Sequence, residues 1–463
     1  MADTEELGPA LAAVLRFPNG SAASQSLDEE PPTGAPPIDD PPSAQLSEAE
    51  QIRAGLASLI SQAGDGISIQ ISFRSNQPTL SYTSRECCPE AAEYTADALL
   101  RSGVPLWYAL HLSAKIAREM YPPLPRLQGP EDGLESEEDE DQAEPPASPV
   151  RNNIAKRAHA LLATYVEELL QQSDAELLAP RPPPDTFPAS LYAARNLRRK
   201  MEDRHLLLPR LALVQPQAEQ PDDALFAVFD GHGGAEVAGY LATHFLDHLL
   251  HAPAYHLDVA AALKQAFASC DRALIRRAAK THYRGGSTAI VAHIRQRRHL
   301  CLAWAGDSQA GLLRAKGASR LLADPLHSPN CPEEYERVTK AGGVIVAMEG
   351  ELRVQGCLNL TRSFGDVGLK PDVVIVEPEL VELELGEEDL LLVLGCDGLW
   401  DHISADEAAA ACAEFMQSHP IEEFPRLGRC LGELAKEQDS SDNITAIVVA
   451  LKPLQELWTA FAQ

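Results

Sequence analysis

For its C-terminal part this sequence predicts an α+β fold, with packed antiparallel sheets and helices on the outside. A mainly helical and disordered N-terminal extension precedes it. Three observations carry that expectation. From Leu191 onward, short β-branched or leucine-rich runs alternate with turn residues. Neighbouring runs are often only a few residues apart, as at RQRR between STAIVAHI and HLCLAWA, which is hairpin spacing rather than βαβ spacing. Helical patterns are confined to two stretches after Gly234 (235–250 and 258–280) and two near the end (405–417 and 422–437).

The elements follow in order. Residues 1–47 are rich in Pro, Ala, Ser and acid and read as disordered. A small helical and hairpin unit is expected over 48–127. Its first helix starts at SEAEQIRAGLASLISQ, where a Ser and a Glu three residues on make a capping pair. Ile67, Ile69, Ile71 and Phe73 then alternate with polar residues as a half-buried strand, with LSYTS as its return. Residues 91–120 read as two helices broken near Gly103-Val104-Pro105. The segment 128–150 is an acidic linker, since nine of the fourteen residues from Glu131 to Glu144 are Asp or Glu and repel one another. Residues 151–190 comprise a helix from Asn153 to Leu170, with Leu161, Tyr165 and Leu169 on one face, and the stiff Pro-rich APRPPPDTFP. The large domain is expected over 191–452, with strands at ALFAVF, STAIVAHI, HLCLAWA, AGLLRA, VIVAM, DLLLVLG and NITAIVVAL. Residues 453–463 are left as a C-terminal tail.

Composition narrows the function. The 463 residues are 45% hydrophobic and carry a formal net charge of −29. That charge argues against nucleic acid and anionic membrane surfaces and favours cations or basic partners. The start MADTEELGPA lacks a secretory layout, and apolar runs such as LLLVLGC fall short of the roughly 20 residues of a membrane span. Nine cysteines without metal-finger spacing point to a reducing cytoplasm, with the nucleus also open.

The chemistry lies at strand ends. Asp230 follows ALFAVF, Asp307 follows LCLAWAG, Asp397 follows LLLVLGC, and Asp442 precedes NITAIVVAL. Each alone is an ordinary turn residue. If the four ends share one rim, their carboxylates need cations to neutralise them. Oxygen ligands without an accompanying Cys or His cluster select Mg²⁺ or Mn²⁺, and a pair of such ions suits phosphoester hydrolysis. Upstream, RRKMEDRH sets Arg198, Glu202 and Asp203 in one short segment read as extended: an arginine able to grip phosphate, next to two more carboxylates.

RRKMEDRH, FDGHGG, AGDSQA, RSFGDVGLK, GCDGLWD and SDNIT occur here in the order found in the metal-dependent serine/threonine protein phosphatases of type 2C. The resemblance covers about 191–452, and the subgroup it most resembles is the calmodulin-dependent protein kinase phosphatases. It implies two antiparallel sheets packed as a sandwich, with helices on both outer faces. It implies two Mg²⁺ or Mn²⁺ ions, with Asp230 bridging them, Gly231 binding through its carbonyl and Glu202 binding directly. Asp203 would act through metal-bound water, and Asp397 and Asp442 would complete the set. Asp307 matches a third, weaker metal site of some members. Arg198 matches the substrate-phosphate arginine. His232 matches the general acid that protonates the departing Ser or Thr oxygen after in-line attack by a bimetal-bound water or hydroxide; the bland alternative is a turn histidine capping the next helix. Implied substrates are phosphoproteins, with calmodulin-dependent or p21-activated kinases as targets.

Some positions depart from the family pattern: LNLTR at 358–362, Ser328-Pro329 after His327, and Gln355 before Gly356. None removes a matched ligand. Two C-x5-R matches, Cys270 to Arg276 and Cys331 to Arg337, lack the small residues of a phosphate cradle and read as accidental. Gly365-Asp366 is the only fragment resembling a calcineurin-like ligand set. The remaining alternative is a catalytically weak scaffold on the same fold. The extension's Pro-rich and acidic segments are candidates for SH3-type or basic protein partners, with a solvated spacer as the other reading.

Overall fold

The computed structural model describes residues 47–61, 84–120, 151–180 and 186–461, apart from 216, 217, 219, 282, 316–318 and 349. Five helices come first: α1 Glu48–Ser61, α2 Ser84–Arg101, α3 Leu106–Met120, α4 Arg151–Leu169 and the short α5 Asp174–Leu178. The chain continues through β1 Ala189–Ala194, β2 Arg204–Leu208, β3 Ala224–Phe229, β4 Gly231–His232, α6 Glu236–Leu250, α7 Val259–Thr281 and β5 Gly286–Ser287. Next come β6 Ala289–Arg295, β7 His299–Ala305, β8 Gln309–Leu313, β9 Arg320–Leu321, α8 Pro332–Lys340, β10 Ile345–Met348, β11 Glu351–Val354 and β12 Phe364–Gly365. The last elements are β13 Glu379–Glu384, β14 Leu391–Gly395, α9 Asp397–Trp400, α10 Ala405–Ser418, α11 Leu427–Glu437, β15 Ile444–Ala450 and α12 Leu454–Phe461.

Two five-stranded antiparallel sheets, β1-β15-β14-β8-β9 and β13-β7-β6-β3-β2, form the expected sandwich. Alternation along β14 shows how it is built. Leu392 and Leu394 enter the core between the sheets, while Leu391 and Val393 pack outward with Cys412, Leu427 and Leu431 of α10 and α11. The strand is buried on both faces, so its sequence reads as one apolar run rather than an alternating one. β15 behaves alike, with Ile447 and Val449 inward and Ala446 and Val448 outward. Helices α6 and α7 cover the other sheet, so both outer faces carry helices. At RQRR the β6–β7 hairpin turns through Gln296 and Arg297, both left-handed (φ 50° and 57°), with Arg298 N–H donating to the Arg295 carbonyl (3.1 Å), a turn whose hand suits the twist of the paired strands. Four strands of the two large sheets were absent from the sequence reading, β1, β2, β9 and β13, as were the short β4, β11 and β12. All four are sheet edges: β1 and β13 mix polar and apolar residues, β9 is a two-residue strand, and β2 offers only a short leucine run after Arg204 and His205.

The structure corrects four other expectations. VIVAM does not join the sandwich; β10 pairs only with β11, and the hairpin packs with α8 over a separate small core of Val338, Val354, Leu358, Leu360 and Val374. The expected C-terminal tail carries α12, whose Leu457 and Phe461 are buried in the α10–α11 core. The segment around Arg198 is a looped turn, not an extended strand. The buried stripe of α4 is Ile154, Ala158, Leu162, Val166 and Leu169, leaving Leu161 and Tyr165 at its margin. The strand expected at Ile67–Phe73 lies outside the described residues. So does LSYTS, except Ser84, which opens α2.

The N-terminal helices dock on the sandwich. Cys88, Ala92 and Ala96 of α2 share one apolar core with Tyr240 and Leu241 of α6. Buried polar contacts cross the same seam: the Thr243 hydroxyl donates to Glu93 (2.8 Å), and His244 Nε2 lies 3.3 Å from Glu90 Oε1. Arg277 of α7 pairs with Glu86 at 3.3 Å. On α1, Ser47 and Glu50 form the expected reciprocal cap.

Candidate active site

The strand ends do meet. Asp230 leaves β3, Asp397 opens α9 directly after β14, Asp203 precedes β2, and Asp307 follows β7. Carboxylate oxygens of Asp203 and Asp230 lie with Cys396 Sγ in one group whose atoms are all within 4.8 Å of one another. Burial, followed by the neighbouring charges of Asp203, Asp397 and Asp307, holds the Asp230 carboxyl well above the usual range. Burial, then Asp397 and Asp401, does the same to Asp307. Asp397 is pushed up to about 6 by burial and by Asp442. Asp203 is raised by burial even though Thr445 Oγ1 donates to its Oδ2 at 2.7 Å.

These residues fit an oxygen-preferring divalent cation. Asp203 Oδ1 and Asp397 Oδ1 are buried with no hydrogen-bond partner, an expensive arrangement unless a cation satisfies them. The sequence reading had no sulfur in the set, yet Cys396 sits inside it. That thiol is held well above its ordinary pKa by burial, its Sγ donates to the Asn443 carbonyl (3.3 Å), and it accepts from Thr445 N–H (3.2 Å). A protonated, backbone-engaged thiol leaves the donor set oxygen-based, which fits Mg²⁺ or Mn²⁺ better than Zn²⁺.

Glu202 enters the site through its backbone. Its carboxylate makes no hydrogen bond or ion pair among the described residues. A Cβ on Gly231 would lie 2.5 Å from the Glu202 carbonyl oxygen, so glycine is required there by close packing of two backbones. Arg198 is exposed and pairs with the Asp442 carboxylate. The loop carrying Arg198 is pinned by Asn443, whose Nδ2 donates to the carbonyls of Arg195 and Lys200 (2.9 Å each) while its Oδ1 accepts from Glu202 N–H (2.7 Å).

His232 does not cap α6, whose N-cap is Ala235 with no side-chain bond. Its Nε2 lies 2.8 Å from Asp366 Oδ2, and Ser363 Oγ donates to that same oxygen. A Cβ on Gly286 would fall 2.1 Å from Asp366 Oδ2 and 2.6 Å from His232 Nε2, so only glycine leaves room for the pair. Sequence reasoning missed Asp366, Asn443 and Asp401. Each stands inside a motif quoted above (RSFGDVGLK, SDNIT, GCDGLWD), but none ends a long apolar strand on its C-terminal side as Asp230 does.

Comparison with known proteins adds the following. The Protein phosphatase 2C family model matches residues 189–444. Mouse Protein phosphatase 1E is 35% identical over 276 residues, covering 60% of this chain and 36% of that protein. Mouse Protein phosphatase 1F is 37% identical over 269 residues, covering 58% of each. Protein phosphatase fem-2 of Caenorhabditis elegans is 34% identical over 270 residues, covering 57% of this chain and 59% of that one. The match therefore spans between about a third and three fifths of these relatives' lengths. The solved structure of a C. elegans sex-determining protein superposes with a TM-score of 0.73 at 24% identity, covering 89% of this chain and 98% of that one. That coverage exceeds the family match, so the shared fold takes in N-terminal helices as well.

Proposed function

We propose that this chain, which belongs to the Protein phosphatase 2C family, is a metal-dependent serine/threonine protein phosphatase. The observation that carries the reading is the carboxylate cluster with buried, orphaned oxygens on Asp203 and Asp397, set in the same domain as the His232–Asp366 pair. Asp230, Asp397, Asp442, Glu202 and the Gly231 carbonyl are the groups that would hold two Mg²⁺ or Mn²⁺ ions, with Asp203 supporting them and Asp307 serving a third. When bound, such ions neutralise the cluster and supply the electrophilic activation that phosphate-ester hydrolysis needs.

The chain's own residues do the rest. Arg198 grips phosphoryl oxygens through its permanent charge and planar donors. Asp366 engages His232 Nε2, fixing the ring and leaving Nδ1 to carry the proton given to the departing Ser or Thr oxygen. Phosphoserine and phosphothreonine proteins are the substrate class. Kinases of the calmodulin-dependent or p21-activated type are the targets implied by the motif resemblance. The reading of a cytoplasmic location, extending to the nucleus, rests on nine cysteines of which none pairs with another in this fold.

The test is release of phosphate from a phosphothreonine peptide in Mn²⁺, in Mg²⁺ and in EDTA, with Asp397→Asn in Mn²⁺ alongside. Turnover in metal, lost in EDTA and in the variant, is expected. No turnover in any metal by folded protein overturns the reading in favour of a scaffold.

A further inference from the structure

The chain carries a formal net charge of −29, yet one loop at the acid site is basic. Arg195, Arg198, Arg199 and Lys200 fall within six residues, and all are exposed. Arg198 is paired with Asp442. Arg195, Arg199 and Lys200 pair with no carboxylate among the described residues; the Arg195 guanidinium reaches only the Arg199 carbonyl, at 3.4 Å. Among them stands Leu197, with 79% of its surface exposed.

This loop is fixed rather than loose. Asn443 ties its two ends together through the Arg195 and Lys200 carbonyls. Asn196 takes a left-handed turn (φ 51°) and donates to the Ser440 carbonyl. The residue that staples the loop directly follows Asp442, so basic side chains and acid cluster are held in register. Unpaired cations on so acidic a molecule have no partner within the described fold, and a preformed display of them lowers the ordering cost of binding a charged segment.

We propose that the Arg195–Lys200 loop reads the residues flanking the phosphorylated Ser or Thr, selecting segments that are acidic beside the phosphoresidue, with Leu197 offering an apolar contact. The proposal rests on Arg198 being the phosphate-binding arginine. Arg199 and Lys200 follow it by one and two residues, a span of roughly 4–7 Å, which matches the first neighbours of a phosphoresidue on an extended peptide. Exposed pairs are individually weak, worth up to about fivefold each, so two or three together give roughly tenfold discrimination.

The experiment compares two phosphothreonine peptides of equal length, one flanked by Asp and Glu and the other by Lys and Arg, with p-nitrophenyl phosphate as a small ester. The full chain in Mn²⁺ is expected to favour the acidic peptide about tenfold in kcat/KM, through KM. Arg199→Glu/Lys200→Glu is expected to reverse that preference, and Arg199→Gln/Lys200→Gln to flatten it, with p-nitrophenyl phosphate turnover unchanged in both. Preference should also shrink as salt rises. Equal use of both peptides by the wild type, a preference for the basic one, or a preference unaltered in both variants overturns the proposal. Should neither peptide nor the small ester be turned over, the phosphatase reading fails. The loop is then judged by fluorescence anisotropy with difluoromethylene-phosphonate versions of the peptides. Tenfold tighter binding of the acidic one, lost in the Glu variant, supports it, and equal binding overturns it.

Discussion

Two regions of this molecule bury carboxylates and treat them in opposite ways. On α8, Glu334 is 2% exposed, yet Arg337 and Arg362 both bond it, at 3.0 and 2.7 Å. Burial alone would raise its pKa, but the hydrogen bonds from Arg362 and Arg337 pull it down to about 2. At the strand ends, Asp397 meets Asp442, Asp401 and Asp203 instead of cations and is pushed up to about 6. Glu334 is buried and Asp397 half-buried with its Oδ1 out of solvent; the sign of the neighbours sets the opposite directions. A carboxylate with its partners built in is cement, whereas one surrounded by its own kind is waiting for something the chain does not supply.

The sharpest break is a pair of substitutions. Asp397→Asn is expected to lower kcat on a phosphothreonine peptide by more than the roughly 10- to 100-fold that losing an outer-shell metal partner costs. The same change should leave the metal-free fold no weaker, because it removes like charge. Glu334→Gln should do the reverse. It removes the carboxylate that Arg337 and Arg362 share and leaves Arg362 only Glu379, at 3.0 Å, as an acidic partner, at a cost of about 2 kcal/mol in denaturant unfolding, while leaving turnover within a few fold. If both variants lose the same property, the contrast between the two regions is wrong.

Acidity separates the regions next. In the unfolded chain these aspartates titrate near the ordinary value of about 4. In the metal-free fold they are raised, so between those values the native state holds more protons and stability falls as pH rises. His159, His205 and His327, held low by burial, act in the opposite sense over the same window. They are common to wild type and variant, so the useful quantity is a difference. In EDTA, the Tm of Asp397→Asn minus that of wild type should be positive at pH 7.5, about half as large near pH 5, and vanish below about pH 4. Mn²⁺ should reverse its sign at pH 7.5. Glu334 has the opposite linkage: its depressed pKa stabilises the fold above the unfolded value and is lost only in stronger acid. The penalty of Glu334→Gln should accordingly stay flat from pH 5 to 7.5.

The same contrast explains what the sequence could and could not reveal. Asp230, Asp307 and Asp397 were visible because each ends a strand buried on both faces, and such strands are continuous apolar runs. Asp366 was hidden. It follows the two-residue strand β12, which carries no such run, and its partner His232 is 134 positions away. Asn443 was hidden for another reason: nothing in its sequence context announces that one amide will tie down the Arg195–Lys200 loop. The two-sheet architecture was legible from strand interiors, while the edges β1, β2, β9 and β13 were not: β1 and β13 are half-solvated and carry a diluted pattern, and β2 and β9 are too short to show one. Glu334 and Arg337 were read only as part of an accidental C-x5-R match and Arg362 only within LNLTR and RSFGDVGLK, because a carboxylate's partners come from the fold and not from its neighbours in sequence.

A smaller effect tests the proton donor. Asp366→Asn keeps the shape of the His232 contact but removes the charge behind it. Turnover of a phosphothreonine peptide should fall about 10- to 100-fold, within the range general acids contribute. Turnover of p-nitrophenyl phosphate should change only a few fold, because its leaving group departs without a proton. Equal losses on both substrates would mean that Asp366 serves the cation cluster or the fold instead.

The smallest expected effect lies at the seam between α2 and α6. Glu93 accepts from Thr243 in a fully buried setting, and Glu90 faces His244 beside it. If this seam is cement like the α8 glutamate, Glu93→Gln, which keeps a carbonyl acceptor for the Thr243 hydroxyl, should cost no more than about 1 kcal/mol. Turnover should not change. Helix α6 nevertheless begins six residues after Asp230, so a shift of its axis would be felt at the metal loop. An activity loss in Glu93→Gln larger than its stability loss explains would move this seam from the first class of buried acid toward the second. The N-terminal helices would then be part of what sets the site rather than only what covers the sandwich.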